Sequence, residues 1–137
     1  MIHTAEREVL LLQRADARGG WQSVTGSRAD PLEPLAETAR REVLEETGLV
    51  VGASAGPLQD EGHAETFTIF PEYRHRYAPG TMTNREHVFS LRAPRDAAIA
   101  VSPREHTAWR WLPAAQAAAA CFSRTNAEAI RRLLIDR

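Results

Sequence analysis

Three observations along this chain predict an α/β fold, a mixed sheet of short strands packed against helices. Apolar runs of strand length recur through it, and one long, heavily charged helical segment follows the second of them. From Ala114 to Ile135 the pattern is helical again.

Taken in order, Glu8–Arg14 holds the apolar run Val9-Leu10-Leu11-Leu12, which is of strand length. Thr4-Ala5-Glu6-Arg7 reads as a turn feeding it, but only Met1–His3 stand ahead, so a hairpin here lacks most of its first arm. The expectation is a first strand that is missing or truncated, through a start assigned too late or an edge left unpaired. Trp21–Val24 is a second short extended segment. Glu33–Thr47 is the best helix: Pro34 suits a first turn, early acids suit the dipole, and Gly48 suits the stop. Its apolar positions Leu35, Ala36, Ala39, Val43 and Leu44 predict a buried face largely separate from its carboxylates. Val50–Leu58, broken by Gly52, Gly56 and Pro57, allows a short strand and a turn. Glu65–Phe70, Glu86–Arg92 and Thr107–Leu112 read as further strands. Ala114–Phe122 and Asn126–Ile135 read as helices, the second with Ile130, Leu133 and Leu134 on one side.

A length of 137 residues predicts one domain over 1–137, large enough for a sizeable core. Hydrophobic content of 43% with 26% charged residues is that of a globular protein in water. Seventeen basic and eighteen acidic side chains leave a net charge of −1, which gives no support for bulk binding to nucleic acid or anionic membrane. No apolar run approaches a membrane span, and the first residues lack the layout of a secretory signal. Cys121 is alone, so no internal disulfide is available; it reads as a small apolar packing residue. A cytoplasmic protein is the expectation.

Gly26–Leu49 carries the chemistry, reading GSRADPLEPLAETARREVLEETGL. On a helix, Glu42, Glu45 and Glu46 lie on neighbouring turns and converge on one small volume. Three carboxylates held together repel unless a cation sits among them. Mg²⁺ or Mn²⁺ fits, as hard ions that prefer oxygen and leave sites for water and phosphate. The stretch resembles the signature of the Nudix hydrolase superfamily, G-x5-E-x7-R-E-U-x-E-E-x-G-U with U apolar. From Glu33 through Arg41-Glu42 and Glu45-Glu46 to Gly48-Leu49 the spacing fits, but six residues rather than five separate Gly26 from Glu33. The extra residue falls in Ser27–Leu32, a loop around Asp30-Pro31, where insertion is absorbed most easily.

Within that superfamily the chain is similar to the bacterial diphosphatases of dihydroneopterin triphosphate, a branch serving folate biosynthesis. Four segments carry the likeness: Leu11–Asp16, Trp21–Ser27, Arg74-His75-Arg76-Tyr77-Ala78-Pro79-Gly80, and Glu105-His106 with Trp109 and Trp111-Leu112. The resemblance implies an α/β/α sandwich around a mixed sheet. It also implies metal-dependent cleavage of a small-molecule triphosphate into a monophosphate and pyrophosphate. Two alternatives stay open: the same chemistry on ordinary or damaged nucleoside triphosphates, or a Nudix-like binding module without turnover.

On this reading Glu45 and Glu46 are metal ligands and Glu42 is a ligand or the base that orients water. Glu105 is a fourth acid for the site, and the Thr25 carbonyl, before Gly26, is a further ligand. Glu33 and Arg41 form a supporting ion pair between loop and helix, with Glu37 or Glu45 as alternative partners for Arg41. Arg74 and Arg76 suit bidentate phosphate binding, Tyr77 suits stacking on a pterin, and Arg14 and Gln22 are weaker substrate contacts. In an extended segment Arg74 and Arg76 share a side, with His75 and Tyr77 opposite. His106 reads as structural or superficial, and of the tryptophans only Trp21, near the glycine loop, is a candidate for ligand contact.

Overall fold

Val9, Leu10, Leu11 and Leu12 are each at most 1% exposed, so the strand they form is covered on both faces. That is why the run is continuously apolar rather than alternating. The computed structural model, which describes residues 1–136, places this strand, β2 (Glu8–Arg14), at the centre of a mixed sheet. Val9 and Leu11 pack on one side with Ala117, Ile130 and Leu133 of the C-terminal helices. Leu10 and Leu12 pack on the other with Val43 and Leu49 of the charged helix and its exit. Truncating any of the three leucines to alanine would cost about 2–5 kcal/mol.

The remaining strands are β1 (Ile2–His3), β3 (Trp21–Gln22), β4 (Gln59–Thr68), β5 (Thr83–Arg92) and β6 (His106–Pro113). Along one edge of β2 runs β6, antiparallel from Glu8↔Pro113 to Arg14↔His106. Its other edge is shared: β1 pairs at Val9, β3 at Leu12 and Gln13. β1 also pairs in parallel with β5, at Leu91 and Arg92, and β5 pairs antiparallel with β4. The first strand, two residues long, joins the halves of the sheet. The turn Thr4–Arg7 follows it, closed by Arg7 N–H to the Thr4 carbonyl at 3.1 Å, with Arg7 at φ 63°. Beyond this short joint no strand among the described residues bridges β3 and β5, and a cleft opens between Ser23–Ser27 and Asn84–Glu86.

Helix α1 (Leu35–Thr47) starts after Pro34 and stops at Gly48, whose φ of 77° is the left-handed cap that glycine favours. Its buried positions are Thr38, Val43, Glu46 and Thr47, while Leu44 is 51% exposed. This corrects the expected face. Leu44 sits a quarter-turn off the stripe, and Glu46 lies on it, so one carboxylate is carried into the protein. Val50–Leu58 makes only an isolated bridge, Val51↔Ala55. Pro71–Arg76 is a 3₁₀ turn, so the shared side that an extended segment would give Arg74 and Arg76 does not arise. Helices α2 (Ala114–Ala120) and α3 (Arg124–Ile130), followed by a π turn at Arg131–Ile135, cover the second face. No helix among the described residues is long and apolar enough to cross a membrane.

Candidate active site

The loop before α1 is fixed by one arginine. Arg41 donates from Nε and Nη2 to the two oxygens of Glu33, from Nη2 to the Ser27 carbonyl at 2.8 Å, and from Nη1 to Glu42 at 2.9 Å. Glu33 also accepts from Ala29 N–H and from Thr38 Oγ1. With Arg41 as the main cause, its carboxyl is lowered to about 2. The additional loop residue is taken up by the turn Asp30–Leu32, which leaves Leu32 in solvent. Gly26 lies against Glu42 so closely that a Cβ there would overlap its carboxyl group. The glycine thus leaves the Glu42 carboxyl its place, and any larger residue would force that side chain to shift.

Glu46 and Glu105 meet His106 at one end of the cleft, each offering a ligand atom within 4.8 Å of the others. Glu42 lines the same cleft. Glu46 is 3% exposed, and its Oε2 has no hydrogen-bond partner. Burial first, then the carboxylates of Glu42 and Glu105, push its pKa up to about 9. Burial likewise raises Glu42. A buried acid with an orphaned oxygen and two acidic neighbours is what a divalent cation relieves. The donor set therefore fits such an ion. Glu45 is more exposed, accepts from Arg41 at 3.4 Å and borders this cluster, close enough for its charge to act on Glu42 and Glu46.

Sequence reasoning set His106 aside, yet it is 2% exposed and ends a chain of contacts. Asp16 holds Arg14, and Arg14 Nη1 donates to Gln22 Oε1 at 3.0 Å. Gln22 thereby turns its amide nitrogen to His106 Nε2 at 3.2 Å, and Glu46 Oε1 lies 3.7 Å from the same atom. Burial lowers the His106 pKa and so disfavours the charged ring; Nε2 faces the Gln22 amide nitrogen, while Nδ1 is buried without a hydrogen-bond partner. Its place at the start of β6, directly after Glu105, was the available signal.

Arg14 also donates to the Tyr73 hydroxyl at 3.0 Å and lies over the Tyr73 and Phe122 rings. Phe70 stacks on Phe122 with centroids 6.3 Å apart, and Arg18 covers Phe70. These aromatics and Asp16 escaped the sequence reading because the chain brings them together only through the 3₁₀ turn. The turn also separates the arginines. Arg76 lines the cleft and lies over Tyr73, and Tyr77 lines it too, whereas Arg74 donates to the Ile69 carbonyl at 3.3 Å. Thr25 borders the cleft beside Gly26. Trp21 packs against the core beneath Arg110. The whole cleft encloses about 580 Å³ and continues into a neighbouring cavity of about 530 Å³ that shares Glu42, Tyr77, Asn84 and Glu86.

The family model for the NUDIX domain matches residues 1–133. Dihydroneopterin triphosphate diphosphatase of Escherichia coli is 42% identical over 130 residues, spanning 95% of this chain and 85% of that protein. The Haemophilus influenzae protein of the same name is 35% identical over 137 residues, spanning 99% and 85%. The solved structure of the E. coli dihydroneopterin triphosphate pyrophosphohydrolase matches with a TM-score of 0.89 at 40% identity, covering 99% of this chain and 92% of that one.

Proposed function

The chain belongs to the NUDIX family, and from that premise we propose that it hydrolyses dihydroneopterin triphosphate to dihydroneopterin monophosphate and pyrophosphate. One observation carries the reading onto these residues: Glu46 and Glu105, with Glu42 nearby, close one end of a cleft whose walls carry Arg14, Arg76 and Tyr77. Such a cleft suits a ligand with a polyphosphate at one end and a ring at the other. The step would serve folate biosynthesis, in one catalytic domain over 1–137. The lone Cys121 favours a cytoplasmic setting.

We assign Glu42, Glu46 and Glu105, with Glu45 and the Thr25 carbonyl, to hold Mg²⁺, with Mn²⁺ as a substitute. When bound, the ion supplies charge to neutralise phosphate oxygens. Water adds across one phosphoanhydride bond, its oxygen going to one product and its protons to both. Glu42, raised by burial, is the candidate to orient that water and take its proton. Arg76 offers phosphate oxygens a planar fork. Arg14 and Gln22 hold the flank of the site through His106, and Tyr77 offers a ring face. Arg74 acts at one remove by tying the 3₁₀ turn to Ile69.

Product analysis tests this directly. Incubation with dihydroneopterin triphosphate and Mg²⁺ should release pyrophosphate and the monophosphate in equal amounts. Orthophosphate as the product would reject the assignment.

A further inference from the structure

Glu86 is an acid that the phosphate chemistry does not use. On β5, Asn84, Glu86 and Val88 share a face; Val88 enters the core, and the other two line the cleft. The carboxylate of Glu86 accepts from Thr125 Oγ1 at 3.4 Å and from Asn126 Nδ2 at 3.3 Å, both long bonds. A carboxylate has about four acceptor sites, so capacity remains on both oxygens. Asn126 is 3% exposed and cannot turn freely, because its Oδ1 accepts from Ser23 N–H at 3.1 Å and from Ser23 Oγ at 3.3 Å. Its amide nitrogen is therefore held toward Glu86. Glu65 stands directly across the ladder, where like charges oppose each other, so a donor ligand at Glu86 relieves a repulsion. Phe67, across from Asn84, and Tyr77 line the same cleft and supply apolar faces.

We propose that Glu86 reads the amino-oxo edge of the substrate's ring, with the side-chain amides of Asn84 and Asn126 reaching its carbonyl. A 2-amino-4-oxo pyrimidine ring, whether in a pterin or in guanine, presents an N–H and an NH₂ side by side. That pair matches the two oxygens of a carboxylate as a guanidinium does. Adenine offers an acceptor in place of the N–H, and hypoxanthine lacks the amino group. Glu86 thus sets the specificity of the cleft. The inference rests on the reading that the cleft takes a ring-bearing triphosphate.

Equilibrium binding separates the two. Calorimetric titration in Mg²⁺ with α,β-methylene analogues of GTP and ITP isolates the 2-amino group and needs no turnover. Wild type should bind the guanine analogue roughly tenfold to a hundredfold more tightly than the hypoxanthine analogue, the discrimination of one bidentate contact. Glu86→Gln should bring the ratio near one by weakening only the guanine analogue. A wild-type ratio near one overturns the proposal without any variant. Equal weakening of both analogues in a folded Glu86→Gln also overturns it, leaving Glu86 as an anchor for α3. Failure of the hydrolytic reading would show separately, as no pyrophosphate from dihydroneopterin triphosphate.

Discussion

Arg41 grips both oxygens of Glu33, with Nε to Oε2 at 3.2 Å and Nη2 to Oε1 at 2.9 Å. The same guanidinium holds Ser27 and Glu42, so it couples the glycine loop to the acid end of the cleft. Glu33→Gln keeps the shape but weakens the grip, and should lower Mg²⁺ affinity roughly 10- to 100-fold, as loss of a supporting contact does. Stability carries a second signature. The folded pKa of Glu33 lies at about 2 against an ordinary 4.5, so its contribution is present above 4.5 and is lost as pH falls toward 2. The Tm gap between wild type and Glu33→Gln should close across that window.

Gly26→Ala would drive a methyl group into the Glu42 carboxyl. Displacement of a reacting group by about 1 Å can cost roughly 10²-fold in rate. The variant should lose kcat on that scale while its Tm changes little. A normal kcat would show that Glu42 moves aside freely.

Glu46→Gln should abolish most metal-dependent turnover and leave the fold intact. The pH dependence is opposite to that of Glu33. Folded Glu46 titrates at about 9 against an ordinary 4.5, so between those values the metal-free folded state holds a proton that the unfolded chain has lost. Stability from this group is complete below 4.5 and declines as pH rises toward 9. In EDTA, Glu46→Gln should therefore gain on wild type in Tm as pH is raised. Parallel Tm curves would contradict the buried, protonated acid.

Arg76→Ala should raise KM for the triphosphate about tenfold, the scale of one charge-assisted contact. Arg74→Ala should leave KM within about twofold and act on stability, because its guanidinium serves the Ile69 carbonyl. Equal effects on KM would reject this separation.

Local pattern was enough to foresee the helix and its glycine cap. The pairing of Arg41 with Glu33, eight residues apart, came from the family resemblance, since helical spacing alone also offered Glu37 and Glu45. Burial was less legible. Leu44 looked like core and is exposed, while Glu46, placed off the apolar face among the site's carboxylates, is buried, because which stripe turns inward depends on the strand it meets. His106, Asp16, Tyr73 and Glu86 gave little local signal, since the partners that place them lie 39 to 84 residues away. The 3₁₀ conformation of Pro71–Arg76, not the composition of the segment, decides which arginine enters the cleft.

The most direct measurement is kcat/KM for pyrophosphate release from dihydroneopterin triphosphate beside a panel of nucleoside triphosphates, in Mg²⁺ and again in EDTA. The account predicts a clear preference for the pterin, dependent on the metal. A preference for a nucleotide, or turnover undiminished by EDTA, would contradict it.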